Sequence, residues 1–250
     1  MKIQFLNGGL ANQAFQYIFA RYYELSHPGE CMYMDDSYFA LHTVHNGYEL
    51  EKVFGIRPHM LSSCFDEAVW NAVLEGRKQG KSVPQIFCEN QIEIQMITEA
   101  GNYSDFNPFE GAIFRIPNKG YYPEILDVPE NIYYHGYWIN KSWFERYQDV
   151  FLREFTFPEI TDEKNRGYLK QIEASSSVCV HVRRGDYVTL GWNLDMEMYR
   201  QGMETFVRQV PGPWHLFVFS DDIPWCRLHE QELGFGGFAD ITYVEGNMHG

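Results

Sequence analysis

Short apolar runs alternate along this chain with longer stretches whose apolar residues recur every three or four positions. Ile3-Gln4-Phe5-Leu6 reads as a first strand and Asn7-Gly8-Gly9 as a turn. From residue 11 to residue 25, Phe15, Ile18, Phe19, Tyr22 and Leu25 keep helical spacing. Cys31-Met32-Tyr33-Met34 is a second strand, closed by Asp35 and Asp36. A strand–helix–strand opening predicts an α/β fold with a parallel sheet and helices on its faces. A helix is expected near residues 65–80. Turn-rich sequence with prolines at 108, 117, 123 and 129 then predicts an irregular or lid-like part of the first domain. Residues 132–138 read as a strand entering a glycine bend, and 141–151 as one aromatic-rich helix. Polar sequence over 161–177 holds a further helix and the domain boundary, set between 165 and 166. Beyond it, Ser177-Val178-Cys179-Val180 reads as a buried strand, residues 214–219 as a second and 241–244 as a third.

The first strand of that second half runs into Val180-His181-Val182-Arg183-Arg184-Gly185-Asp186-Tyr187. Ligands of open α/β sheets bind beyond the carboxyl ends of the strands. Two arginines delivered there, ahead of a glycine that allows a tight turn, suit a phosphate or diphosphate. The chain has 34 acidic against 20 basic residues, so adjacent charges of the rarer sign mark a local anion site. The plainer reading is a solvated strand end whose arginines pair with surface carboxylates. Strand alternation puts His181 on the same face as Arg183, where a hydrogen-bonded core histidine is the competing role. Asp221 and Asp222 end the second strand, either as ligands or as a helix N-cap ahead of Pro224. The spacing Gly8-Gly9-x-x-Asn12 lacks the dinucleotide pattern Gly-x-Gly-x-x-Gly, which discounts a nicotinamide cofactor.

A formal net charge of −14 argues against nucleic acid, whose phosphates need a basic face, and against anionic lipid. Five cysteines, odd in number and without close-paired spacing, indicate a reducing compartment. The sequence shows no signal peptide and no apolar run of membrane-spanning length. Asn102-Tyr103-Ser104 and Asn140-Lys141-Ser142 match glycosylation sequons, which are chance matches in such a protein.

The segment from His181 to Tyr187 resembles the first signature of the family 11 glycosyltransferases, the α-1,2-fucosyltransferases. Gly8-Gly9-Leu10-Ala11-Asn12-Gln13-Ala14-Phe15-Gln16-Tyr17 resembles their amino-terminal motif, with Ala11 and Ala14 as departures. His45-Asn46-Gly47-Tyr48-Glu49-Leu50, Gly136-Tyr137-Trp138 and residues 217–222 with Trp225-Cys226 are further matches, whereas residues 58–131 carry none. The resemblance implies a GT-B-like fold, two Rossmann-like units facing across a cleft: an acceptor-side domain over 1–165 and a GDP-fucose-binding domain over 166–250. The family continues past the segment matching Glu245-Gly246-Asn247, so the second unit is expected to be incomplete, with an open strand edge.

The same resemblance implies an inverting transfer of L-fucose from GDP-β-L-fucose to the 2-hydroxyl of a terminal galactoside. The partners expected are GDP-fucose and a galactose-terminated glycan. No cofactor is expected, because GDP-fucose is a substrate and the family needs no metal. Asp35-Asp36, Asp221-Asp222 and the pair His42 and His45 are therefore not assigned to one. Arg183 is given to the β-phosphate, with Arg184 either beside it or holding Asp186. His181 is given to the guanine or ribose, Asp221 or Asp222 to the guanine, and Gly8, Gly9, Asn12 and Gln13 to the donor. Asp186 is the candidate general base, against a purely structural salt bridge. Tyr48, Glu49, Tyr137 and Trp138 are candidates for the acceptor side, although Tyr137 and Trp138 equally suit the core. Similarity to the soluble bacterial members implies a cytoplasmic protein, peripheral at most to the inner face of the membrane. The alternatives are a catalytically impaired nucleotide-sugar or glycan binder of the same fold, and an aromatic-rich lectin.

Overall fold

A computed structural model describes residues 1–42, 46–100 and 111–246. It divides the chain after Pro158, whereas the sequence pattern set the boundary after residue 165.

The first unit runs β1 (Lys2–Phe5), α1 (Leu10–Ser26), β2 (Met32–Asp35), α2 (Ser37–Leu41), α3 (Leu50–Phe54), α4 (Glu67–Lys78), α5 (Val83–Glu89), β3 (Gln95–Glu99), β4 (Ile113–Ile116), β5 (Ile132–His135), α6 (Lys141–Glu145) and α7 (Gln148–Glu154). Its sheet has the order β2-β1-β5-β3-β4, and every pairing is parallel. Alternation along the strands divides the core between two faces. Met32, Met34, Ile132 and Tyr134 pack with Phe19, Trp143 and other residues of α1, α6 and α7. Ile3, Phe5, Met96 and Tyr133 pack with Val73 of α4 and Phe87 of α5. Strands covered on both faces in this way are the reason for the near-continuous apolar runs of β1 and β5.

The expectation of an irregular middle holds only in part: residues 117–131 carry no helix or strand beyond a short 3-10 turn, and Pro108 lies outside the described residues. Residues 95–99 and 113–116 form β3 and β4, which extend the sheet on the far side of β5. The expected helix over 141–151 is broken at Arg146 and Tyr147 into α6 and α7. Asn140, within one of the two sequons, caps α6 by accepting the Ser142 N–H at 2.9 Å. The other sequon and His45 lie outside the described residues.

The second unit runs α8 (Glu163–Glu173), β6 (Ser177–Val182), α9 (Gly185–Leu190), α10 (Met196–Gln209), β7 (His215–Ser220), α11 (Ile223–Leu228) and β8 (Asp240–Tyr243). Its described strands form a parallel sheet of order β6-β7-β8. Val180, Val182, Leu216, Val218 and Tyr243 face the side covered by α10 and α11. On the other side, Phe219 and Val244 line a cavity of about 250 Å³ together with Tyr168, Leu169 and Ile172 of α8. Among the described residues β6 and β8 are the outer strands, and Asn247 lies outside them. No described helix is long and apolar enough to cross a membrane.

Candidate functional site

The end of β6 is tied to the end of β7 by short polar contacts. Ser220 Oγ donates to Val182 O at 2.7 Å and accepts the Asp222 N–H at 2.9 Å. Asp221 Oδ1 accepts the backbone N–H of Arg184 at 2.8 Å. Gly185 follows with φ +22°, and a Cβ there would lie 2.6 Å from Asp221 Oδ2. A side chain at this position would crowd the Asp221 carboxylate at a φ that L residues rarely adopt, which favours glycine.

Three carboxylates surround the two guanidinium groups. Arg183 Nη2 donates to Asp186 Oδ1 at 2.6 Å, and its Nη1 lies 2.6 Å from Asp221 Oδ2 without an N–H aimed along that line. Arg184 Nε donates to Asp222 Oδ2 at 3.3 Å, and its guanidinium stacks 3.6 Å from the Trp225 ring centroid. The two are held differently: the Arg183 side chain is 41% exposed and that of Arg184 20%. Arg183 is the more accessible cation, and Arg184 is braced between a ring and a carboxylate. Tyr199 of α10 lies behind the turn; burial pushes its phenol up, opposed by the hydrogen bond from the Arg183 backbone.

Of the two readings of the aspartates, the helix cap is met at Asp222. Asp222 caps α11, its Oδ1 accepting the Trp225 N–H at 3.1 Å, while its other oxygen holds Arg184. Asp221 lines a crevice of about 320 Å³ at the carboxyl ends of β7 and β8, with Ser220, Ile223, Pro224, Val244 and Glu245. Asp186 pairs with Arg183, not with Arg184. His181 is exposed on the face of β6 opposite Val180 and Val182, so the core role does not apply.

The candidates from the first unit are placed otherwise. Gly8, with φ +79°, and Gly9 form the turn from β1 into α1, and half-buried Asn12 packs over Gly8. Gln13 is fully buried. Its Nε2 donates to Gly8 O and Gly47 O, and its Oε1 accepts the Glu49 N–H. That knot fixes the loop before α3 and leaves Gln13 no accessible polar atom for a ligand. Glu49 is buried in the same knot, and the Tyr48 hydroxyl donates to Ile56 O at 3.1 Å. Trp138 offers no face to a sugar. It is 1% exposed, stacks on Phe19 at 4.1 Å, and its Nε1 donates to Gln4 Oε1. Tyr137 stays half-buried, its hydroxyl accepting from Asn7 Nδ2 at 3.5 Å.

Sequence reasoning passed over Glu99. Buried at the end of β3, its carboxylate accepts the N–H groups of Tyr137, Trp138 and Lys119 and so shapes the glycine bend after β5. Asp35 accepts from the Tyr133 hydroxyl and the Ser37 N–H, and Asp36 from the Ser62 N–H and hydroxyl. A larger cavity of about 670 Å³ lies at the opposite, amino-terminal end of β1 and β2, beside Lys2, His27 and Cys31. It lacks the strand carboxyl ends that deliver ligand-binding groups in α/β sheets.

The family model described as "Glycosyl transferase family 11" matches residues 101–233, more than half of the chain. The alpha-1,2-colitosyltransferase of Escherichia coli is 26% identical over 251 residues, covering 97% of this chain and 76% of that protein. The O-antigen biosynthesis glycosyltransferase WbnK, also of Escherichia coli, is 26% identical over 247 residues, covering 89% and 73%. The galactoside 2-alpha-L-fucosyltransferase Sec1 of Mus musculus is 29% identical over 133 residues, covering 45% and 35%. No solved structure matches at a comparable level. Both sheets are parallel and helix-flanked, the arginine motif closes the first strand of the second unit, and the family match includes that motif; the chain belongs to glycosyl transferase family 11 and is a glycosyltransferase.

Proposed function

We propose that this chain transfers L-fucose from GDP-β-L-fucose to the 2-hydroxyl of a terminal galactoside, without a metal. The relatives named for α-1,2-colitosyl and galactoside 2-α-L-fucosyl transfer support a deoxysugar donor and this linkage. The observation that carries the reading is the half-exposed Arg183 guanidinium at the carboxyl end of β6, held by carboxylates that a diphosphate can replace.

In the reaction, the bond from fucose C1 to the β-phosphate oxygen breaks and its electron pair leaves with GDP. The acceptor oxygen forms the new bond from the opposite face of the ring, which turns a β donor into an α product. An arginine fork matches phosphate oxygens in two parallel hydrogen bonds and stays charged at any working pH. Arg183 takes the β-phosphate as its charge develops, with His181 on the same strand face beside it. Arg184, stacked on Trp225, keeps the turn in shape. The nucleoside enters the crevice beside Asp221. Displacement of the Arg183–Asp186 pair by phosphate frees the Asp186 carboxylate to take the proton of the acceptor hydroxyl.

Calorimetry with GDP, followed by measurement of GDP release from GDP-fucose with lactose as acceptor, tests this. The expected result is GDP binding and lactose-dependent release. Binding without release leaves a nucleotide-sugar binder that does not turn over, and absence of binding removes the donor site altogether.

A further inference from the structure

The segment after the two arginines exposes an unusual amount of apolar surface. Tyr187, Val188, Leu190, Trp192 and Leu194 are all exposed, Trp192 at 66%. Apolar area left in water forgoes roughly 25 cal/mol per Å² of burial, and contiguous patches of this kind mark binding surfaces. The patch is also well anchored. Gly191 ends α9 with φ +67°, and the Trp192 N–H donates to Tyr187 O at 2.8 Å. The two rings meet edge to face at 5.8 Å. They are continuous with the arginine site, since the Arg183 guanidinium lies 5.4 Å from the Tyr187 ring centroid.

The order of groups in a sugar nucleotide assigns this surface. On the donor reading above, the nucleoside occupies the crevice at β7 and β8 and the β-phosphate meets Arg183 at the end of β6. The sugar, bonded to that phosphate, then emerges on the side of the site away from β8, where α9 carries the aromatic pair. We propose that Tyr187 and Trp192 form a shelf for the C–H face of the transferred 6-deoxyhexosyl ring. A ring with a methyl group at C5 lies on such a shelf without stripping water from a hydroxyl. A hydroxymethyl sugar is disfavoured there, though by no more than ~100-fold, because apolar surfaces reject an added hydroxyl only modestly.

The inference rests on the proposed donor, and one titration separates the two. The unmodified chain, Trp192→Ala and Trp192→Phe are each titrated with GDP and with GDP-fucose. A shelf under the sugar predicts GDP affinity within twofold in all three. GDP-fucose binds Trp192→Ala about tenfold more weakly, and Trp192→Phe recovers most of the loss. Unchanged GDP-fucose affinity in Trp192→Ala overturns the shelf and leaves the donor reading standing. So does an effect confined to the KM for lactose, which would place the acceptor there instead. Failure of the unmodified chain to bind GDP overturns both.

Discussion

Asp221 accepts the backbone N–H of Arg184 at 2.8 Å, so the turn after β6 is shaped by a carboxylate delivered from the end of β7. The arginine motif therefore depends on a residue far along the chain. Gly185→Ala puts a methyl group 2.6 Å from the other oxygen of that carboxylate, at a φ that side chains disfavour. The expected outcome is a loss of GDP affinity of at least tenfold with unchanged far-ultraviolet circular dichroism. An alanine variant that binds GDP normally would show that the turn relaxes freely.

Arg183→Lys keeps the charge and loses the fork. GDP affinity is expected to fall roughly tenfold and the turnover rate by ~100-fold or more, because one preorganised donor to the leaving group is worth about 3 kcal/mol in the transition state. Calorimetry and GDP-release kinetics read the two effects separately. Near-normal values for both would remove Arg183 from the diphosphate.

Asp186→Asn distinguishes a base from a brace. The carboxylate competes with phosphate for Arg183, and half-exposed pairs of this kind are worth less than about 1 kcal/mol. Its removal is expected to tighten GDP binding up to about fivefold while lowering the turnover rate by ~100-fold or more. Tighter binding with undiminished turnover would make Asp186 a brace only.

His135 is buried at the end of β5, and burial first, then the nearby Arg77, hold its imidazole down to about 3. The folded form keeps it neutral where the unfolded chain, near 6.5, takes up a proton. The unfolded state thus binds more protons between pH 6.5 and 3, so stability is full above that window and falls as the pH drops through it. The loss is on the order of 5 kcal/mol over the whole interval. Urea unfolding at pH 7.5 and 5.0 should show a smaller acid-induced loss in His135→Gln than in the parent. Equal losses in the two would place the acid sensitivity elsewhere.

Trp138→Ala removes a ring stacked on Phe19 and a hydrogen bond to Gln4. A cost of ~3–5 kcal/mol in urea unfolding is expected. Loss of activity without loss of stability would return Trp138 to the acceptor side.

The opening of the fold was legible because β1, α1 and β2 each keep a single period: a short apolar run, a three-to-four spacing, a second run. The strand that ends just before Arg183 was legible for the same reason, and the helix start at Asp222 was one of the two roles the sequence offered, an aspartate ahead of Pro224 suiting an N-cap. β3 was not legible. Its sequence Gln95-Met96-Ile97-Thr98-Glu99 buries two polar residues, and among the partners of buried Glu99 are N–H groups brought to it by distant segments. β4 exposes Ile113 and Phe114, which blurs its pattern. α10 was within reach, because Met196, Tyr199, Met203 and Phe206 keep helical spacing toward the core. Gln13 and Trp138 matched motif positions that the structure uses for packing, since a motif records residue types and not the direction a side chain takes.

The pairing of β1 with both β2 and β5 sets Lys2 opposite Met32 on one side and Ile132 on the other. During synthesis, the amino-terminal strand–helix–strand unit is complete long before the second neighbour of β1 leaves the ribosome. Contacts this distant in sequence are slow to close, and until they do the unsatisfied amides of the first strand stay available to other nascent chains. A polypeptide released before Ile132 is therefore expected to aggregate, and chaperone demand should end once residues just past His135 have emerged.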